Sequence, residues 1–308
     1  MKTALVFPGQ GSQKVGMCLD IYNDFEKSRN IIDEAVVKLG FDIKDIMFNG
    51  PEETLKESRN AQVALLIHSY AVFSIIKDYV KYDALAGHSL GEYSALLCGD
   101  VICYDDALHI VRFRGELMSS AGEKRKGKML AVIGLKKDIV EDVVKSLKDK
   151  GIITIANYNS YEQFVLSGEP EMIDKASNLC KEKGGKCIPL KVSGAFHSPL
   201  MDDASVPFKK VLTKIEFNTP KCDIYFNVTG DKLKNTDKIR EALGEQITSP
   251  VRWDLIVENM IRDGIRRFIE IGSGNVVSKL IKSMNNDVET LNIGNSEEVR
   301  RFIDEAKR

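Results

Sequence analysis

A serine stands between two glycines in Gly87-His88-Ser89-Leu90-Gly91. This G-x-S-x-G spacing suits a nucleophile on a tight turn between a strand and a helix. The glycines tolerate the close backbone, and a helix N-terminus aims N–H groups at any oxyanion formed there. The chemistry would be acyl transfer through a serine ester. A second reading stays open at this point: the Ser89 hydroxyl could simply cap the helix that follows.

A serine nucleophile needs a base, and the chain has four histidines. His68 lies inside the apolar run AQVALLIHSYAVFSIIKDYV and His109 inside another helical stretch, so both read as packed helix residues. His88 adjoins Ser89, but neighbouring side chains on an extended segment diverge, so it reads as a support for the turn. His197 differs. It sits in Ser193-Gly194-Ala195-Phe196-His197-Ser198-Pro199, a loop of small residues in which Pro199 disfavours helix at Ser198. A histidine there is free to point into a cleft and act as the base. No Asp or Glu stands out as a third member, and a carbonyl accepting the other ring N–H would serve.

A second glycine loop, Phe7-Pro8-Gly9-Gln10-Gly11-Ser12-Gln13, follows the first strand. It is not a dinucleotide fingerprint, because Lys14 stands where a third glycine is needed, and no Gly-Lys-Ser/Thr follows for a phosphate loop. It reads either as a plain turn or as a backbone donor loop. In the second case its amide and that of Leu90 would make an oxyanion hole.

These residues need a frame. Thr3–Phe7 reads as a strand, 22–39 and 61–80 as helices, and Tyr82–Ala86 as a strand running into the serine turn. Helices follow over Leu90–Leu97 and Tyr104–Met118. Gly122–Lys128 reads as a charged linker. Behind it comes strand, helix, strand, strand, helix, strand over 129–191, the split βαβ order of a ferredoxin-like unit. Arg266–Ile271 is a strand, followed by Gly272-Ser273-Gly274-Asn275 and a helix over Val276–Met284. The expectation is an α/β fold with a large, mainly parallel sheet covered on both faces. Residues 1–126 and 193–308 would form this hydrolase-like domain, with a ferredoxin-like small domain inserted over 127–192.

Bulk properties narrow the function classes. The 308 residues are 43% apolar and 29% charged, an ordinary globular balance. A net charge of -1 argues against a general nucleic-acid binder. The six cysteines show neither C-x-x-C pairs nor zinc spacing, which points to free thiols in a reducing compartment. MKTALVFPGQ is too short in apolar residues for a signal core, and no run approaches a membrane span. The expectation is a cytoplasmic monomer that uses no metal.

Five stretches in order resemble one family: FPGQGSQ, GHSLGE, VRFRGELM (111–118), GAFHSPLM (194–201) and QITSPVRW (246–253). They are similar to malonyl-CoA:acyl carrier protein transacylases over nearly the whole chain. The resemblance implies malonyl transfer from malonyl-CoA to the phosphopantetheine thiol of acyl carrier protein for fatty acid synthesis, with no cofactor. It implies Ser89 as the acylated nucleophile and His197 as base and then acid. The Gln246 main-chain carbonyl would orient that histidine, and Gln10 and Leu90 would supply the oxyanion donors. Arg114 would grip the malonyl carboxylate, and Phe196 would mark malonyl selectivity. From sequence alone Arg114 reads as a solvated helix residue paired with Glu116 or Asp106; the motif reverses this. One departure is Gly272-Ser273-Gly274, where the family often has Gly-Pro-Gly, which puts local loop rigidity in question. Acyl carrier proteins are acidic, so Lys124, Arg125, Lys126 and Lys128, or Arg266 and Arg267, are candidate docking groups. Competing readings are an acyltransferase of a polyketide pathway, a serine thioesterase or hydrolase, and a non-catalytic carrier-binding module.

Overall fold

Two sheets organise the chain in the computed structural model, which describes all residues, Met1–Arg308. The nine strands are β1 (Lys2–Phe7), β2 (Ala84–Gly87), β3 (Lys128–Ile133), β4 (Ile153–Ser160), β5 (Gln163–Gly168), β6 (Lys186–Pro189), β7 (Asp223–Tyr225), β8 (Ile265–Ile271) and β9 (Glu289–Ile293). The first sheet runs β7-β2-β1-β8-β9 and is parallel throughout. Its centre, β1 and β2, is buried on both faces, as the continuous runs ALVF and ALAG require. β1 pairs with β2 on one side and β8 on the other, so connections leave the sheet in opposite directions at β1. The crevice beyond the carboxyl ends of such strands is where open α/β sheets place their sites. Here it collects the loops after β1, β2, β7 and β8.

The second sheet runs β4-β5-β3-β6 and is antiparallel throughout, the strand order of a ferredoxin-like unit. Its strands alternate faces. Leu130, Val132, Phe164 and Leu166 pack on helices 137–147 and 170–182 through Val140, Val144, Ile173 and Ala176. Met129 and Val165 point the other way and join the large core. Tyr158 N donates to Val251 O at 2.9 Å and Val251 N to Ala156 O at 2.8 Å, which stitches β4 to the large sheet's side of the crevice.

The helix expected over 61–80 spans Ser58–Ile76 and is buried along almost its whole length. The expected linker at Gly122–Lys128 is corrected in part. The helix that starts at Tyr104 runs on to Lys124, so only Arg125–Gly127 connect it to β3. Gly122 marks a close approach there: a Cβ on it would meet Ser193 O at 2.2 Å. Gly115 does the same higher up, where a Cβ would meet Ser58 O at 2.7 Å. Helices 58–76 and 104–124 therefore cross with almost no gap beside Arg114.

Candidate active site

The serine turn is built by its glycines. A Cβ on Gly87 would fall 1.8 Å from Gly91 C, and one on Gly91 would fall 2.2 Å from Phe7 O. The turn folds so tightly on itself and on β1 that only glycine fits at both positions. Ser89 takes the strain, with φ 50 in the left-handed region that side chains rarely adopt. The helix Gly91–Cys98 starts directly behind it.

Three groups hold the strained turn. Ser89 N donates to Asn227 Oδ1 at 2.7 Å, and Asn227 Nδ2 donates to Gly87 O at 2.7 Å. Asn227 N in turn donates to Glu92 Oε2 at 2.5 Å. On the far side, Gln246 Nε2 donates to Ser89 O at 3.0 Å. His88 ties the turn to the small sheet, its Nε2 lying 2.8 Å from Asn159 Oδ1, as a supporting residue should.

His197 reaches Ser89 from the 193–201 loop. Its Nε2 lies 2.8 Å from Ser89 Oγ, and it too has a left-handed φ, 57. The loop is pinned by His197 N donating to Ile247 O at 3.1 Å and Ser198 Oγ donating to Ala195 O at 2.6 Å. His197 Nδ1 lies 2.8 Å from Gln246 O and 3.1 Å from Ser249 O. Carbonyl oxygens only accept, so Nδ1 carries the ring proton and Nε2 presents a lone pair to the serine hydroxyl. Two carbonyls thus do what a carboxylate does elsewhere. Burial, with the nearby charge of Arg114 second, pulls the His197 pKa down to about 3. The ring is neutral at ordinary pH and ready to take a proton.

Arg114 is buried, 1% exposed, not solvated. Its neighbour Arg112 takes Glu116, at 2.6 Å. Arg114 Nη1 donates to Gln62 Oε1 at 2.7 Å. Its Nη2 donates to Gln246 Oε1 at 3.0 Å and to Ser89 Oγ at 3.2 Å. The Tyr93 ring lies 5.4 Å from the guanidinium. Nε has no partner. No carboxylate pairs with Arg114. Glu92 is close enough to feel it, but burial pushes the Glu92 carboxyl up to about 8, so it stays largely protonated. The result is a buried cation held by neutral acceptors next to a serine hydroxyl.

The amides of Gln10 and Leu90 donate to no protein acceptor, while those of Ser89 and Gly91 flanking Leu90 both do. Gln10 is held by its side chain, whose Nε2 donates to Ser58 Oγ at 3.0 Å. The Ser273 hydroxyl donates to Ser12 O at 2.6 Å, so Gly272-Ser273-Gly274 braces the Gln10 loop without a proline. Phe196 is buried in the large core beside His197.

Comparison with known proteins agrees with this geometry. Residues 4–301 match the acyl transferase domain family. A malonyl CoA-acyl carrier protein transacylase of Staphylococcus aureus is 41% identical over 301 residues, 97% of either chain. The chain belongs to the malonyl CoA-acyl carrier protein transacylase family. The Bacillus subtilis relative of the same name is 37% identical over 99% of this chain and 98% of its own. Among solved structures, a Vibrio cholerae acyl carrier protein S-malonyltransferase superposes with TM-score 0.94 at 35% identity, covering 98% and 99% of the two chains. A malonyl-transacylase solved with a type II PKS acyl-carrier protein superposes with TM-score 0.95 at 34% identity, over 99% and 100%.

The structure brings Ser89, His197, Arg114 and Gln246 into one hydrogen-bonded cluster, with Phe196 beside His197. Sequence reasoning missed Gln62, Asn227, Ser249 and the side chain of Gln246. A lone glutamine in the apolar run 61–76 was the only signal for Gln62. Asn227 carried none, since its role depends on β7 lying beside β2. Of the basic groups considered for docking, Arg125 pairs with Asp203 at 3.4 Å and Lys128 with Asp174 at 2.7 Å. Arg267 faces Glu289 at 3.1 Å, so much of that charge is locally matched.

Proposed function

We propose that the protein moves a malonyl group from malonyl-CoA to the phosphopantetheine thiol of an acyl carrier protein by a ping-pong route through Ser89. The observation that carries this reading is the buried Arg114 cation, without a carboxylate partner and 3.2 Å from Ser89 Oγ. A thioester with a free carboxylate completes that charge; a neutral acyl chain leaves it unmatched. Arginine's planar fork takes a carboxylate through two hydrogen bonds.

Ser89 Oγ attacks the thioester carbonyl while its proton passes to His197 Nε2. The free amides of Gln10 and Leu90 receive the oxyanion. The C–S bond breaks, and His197 returns the proton to the departing thiolate of coenzyme A. The carrier's thiol then gives its proton to His197 and attacks the malonyl-serine ester; the ester C–O bond breaks, and His197 returns the proton to Ser89 Oγ. The protein groups and two substrates balance both half-reactions, so no metal or redox cofactor is invoked. Phe196 is assigned to malonyl selectivity from its place in the chain next to His197. The partner set is malonyl-CoA and the carrier protein, the pathway is fatty acid synthesis, and the enzyme works as a cytoplasmic monomer. No helix is long and apolar enough to cross a membrane. The carrier-bound neighbour is a type II PKS pair, so a polyketide carrier is the second reading. The test is transfer kinetics with phosphopantetheinylated carriers of both kinds, against release of free malonate. Fast carrier-dependent transfer supports the proposal; malonate release that ignores the carrier would make the protein a thioesterase.

A further inference from the structure

The histidine-orienting role given to Gln246 above uses only its main-chain carbonyl, which holds His197 Nδ1. Its side chain is engaged independently. Oε1 accepts from Arg114 Nη2 at 3.0 Å, and Nε2 donates to Ser89 O at 3.0 Å. An amide side chain makes both contacts only when its oxygen faces the cation and its nitrogen faces the carbonyl, so the two are set together.

The second contact matters because of what Ser89 O belongs to. Ser89 C=O and Leu90 N–H share one planar trans peptide, and the two groups point in opposite directions. Holding Ser89 O fixes the aim of the Leu90 N–H, which has no protein acceptor. A carbonyl that accepts a second hydrogen bond also polarises its peptide and strengthens the opposite N–H as a donor. Ser89 O already accepts from Glu92 N at 3.1 Å, and Gln246 adds that second bond.

We propose that the Gln246 side chain is a positioning residue that couples the Arg114 carboxylate clamp to the oxyanion donor at Leu90. One amide group joins the charge that reads the substrate's free end to the peptide that stabilises its reacting end. Gln246 is fully buried and has no freedom to satisfy one contact without the other. A substrate carboxylate that seats Arg114 thereby also fixes the Leu90 peptide. This inference rests on Ser89, Arg114 and Leu90 having the roles proposed above.

The test is the single-turnover rate of acyl-enzyme formation, followed by rapid quench and intact mass, with malonyl-CoA and acetyl-CoA. Gln246→Met keeps the main-chain carbonyl and the volume but loses both side-chain contacts. Its acetylation slows about tenfold, less than the hundredfold or more for removing an oxyanion donor outright, because the amide is loosened and not lost. Malonylation slows further, about thirtyfold, because the clamp is loosened too. Gln246→Glu puts a carboxylate against Arg114. Acetylation falls as in Gln246→Met, malonylation falls more, and the malonyl KM rises. The acid limb of the pH profile stays where it is in Gln246→Met, because His197 keeps its carbonyl and Arg114 keeps its charge. If Gln246→Met unfolds, Gln246→Glu, polar and of the same size, carries the acetyl comparison. Acetylation within twofold of wild type in either folded variant overturns the proposal, as does a shifted acid limb in Gln246→Met. Failure of the underlying reading looks different: wild type would form no adduct, or Ser89→Ala would form one.

Discussion

Arg114→Ala is the perturbation that most sharply separates acyl groups. In the structure Arg114 rests on Gln62 at 2.7 Å and Gln246 at 3.0 Å, both neutral acceptors. A malonyl carboxylate brings the opposite charge to this buried cation through two further hydrogen bonds, gaining about 1.5 kcal/mol at each, so about 3 kcal/mol in all. That corresponds to about a hundredfold in kcat/KM for malonyl-CoA. Acetyl-CoA brings no carboxylate and loses only the contacts from Arg114 to Ser89 Oγ and Gln246 Oε1, a loss malonyl-CoA shares, so its kcat/KM should fall by no more than about tenfold. The ratio of the two constants, from steady-state transfer to a carrier thiol, should therefore fall by nearly the full factor. Arg114→Lys should lie between, because an ammonium supplies charge without the fork. An equal fall for both substrates would refute the reasoning, since Arg114 would then act on the serine and not on the carboxylate.

Other outcomes follow from the same geometry. Gly91→Ala puts a Cβ 2.2 Å from the Phe7 carbonyl, a backbone contact no rotamer relieves, so the variant should lose about 3 kcal/mol or more by urea denaturation or fail to fold. Asn227→Leu strands Ser89 N–H and Gly87 O and should cost about 2–4 kcal/mol of stability along with most of the acylation rate. The neutral His197 is proton-free down to about pH 3, so the single-turnover acylation rate should hold from pH 7 to 5, where an unperturbed histidine would already be charged. His68 is pulled down to about 4 by burial. Between that value and 6.5 the unfolded chain binds the proton that the folded one refuses, so this group by itself lowers stability by about 1.4 kcal/mol per pH unit on acidification, and His68→Gln should remove that contribution and leave those of the buried His88 and His197. Glu92 has the opposite sign: raised to about 8, it costs stability as pH climbs from 4.5 to 8, and Glu92→Gln should flatten that alkaline fall in denaturation curves.

Local patterns in the chain were enough to find the serine turn, because its glycines, its strand and its helix lie within the fifteen residues Ala84–Cys98. The ferredoxin-like order was legible for the same reason, since its strands and helices have clear periods of two and 3.6. His197 came from elimination among four histidines. What stayed hidden depends on long-range packing. Arg114 looks like a surface residue until Gly115 lets helix 58–76 close over it. Asn227 and the Gln246 side chain act on a turn more than a hundred residues away in sequence. The helix overran the expected linker because Gly122, which reads as a flexible residue, is there to let the Ser193 backbone approach.

The central claim is that Ser89 carries the malonyl group between two thiols. Brief mixing with malonyl-CoA followed by intact mass should show one malonyl adduct on wild type and none on Ser89→Ala. Adding phosphopantetheinylated carrier protein should clear the adduct and leave malonyl on the carrier. An adduct that persists in Ser89→Ala, or carrier malonylation at the wild-type rate without that serine, would contradict the account.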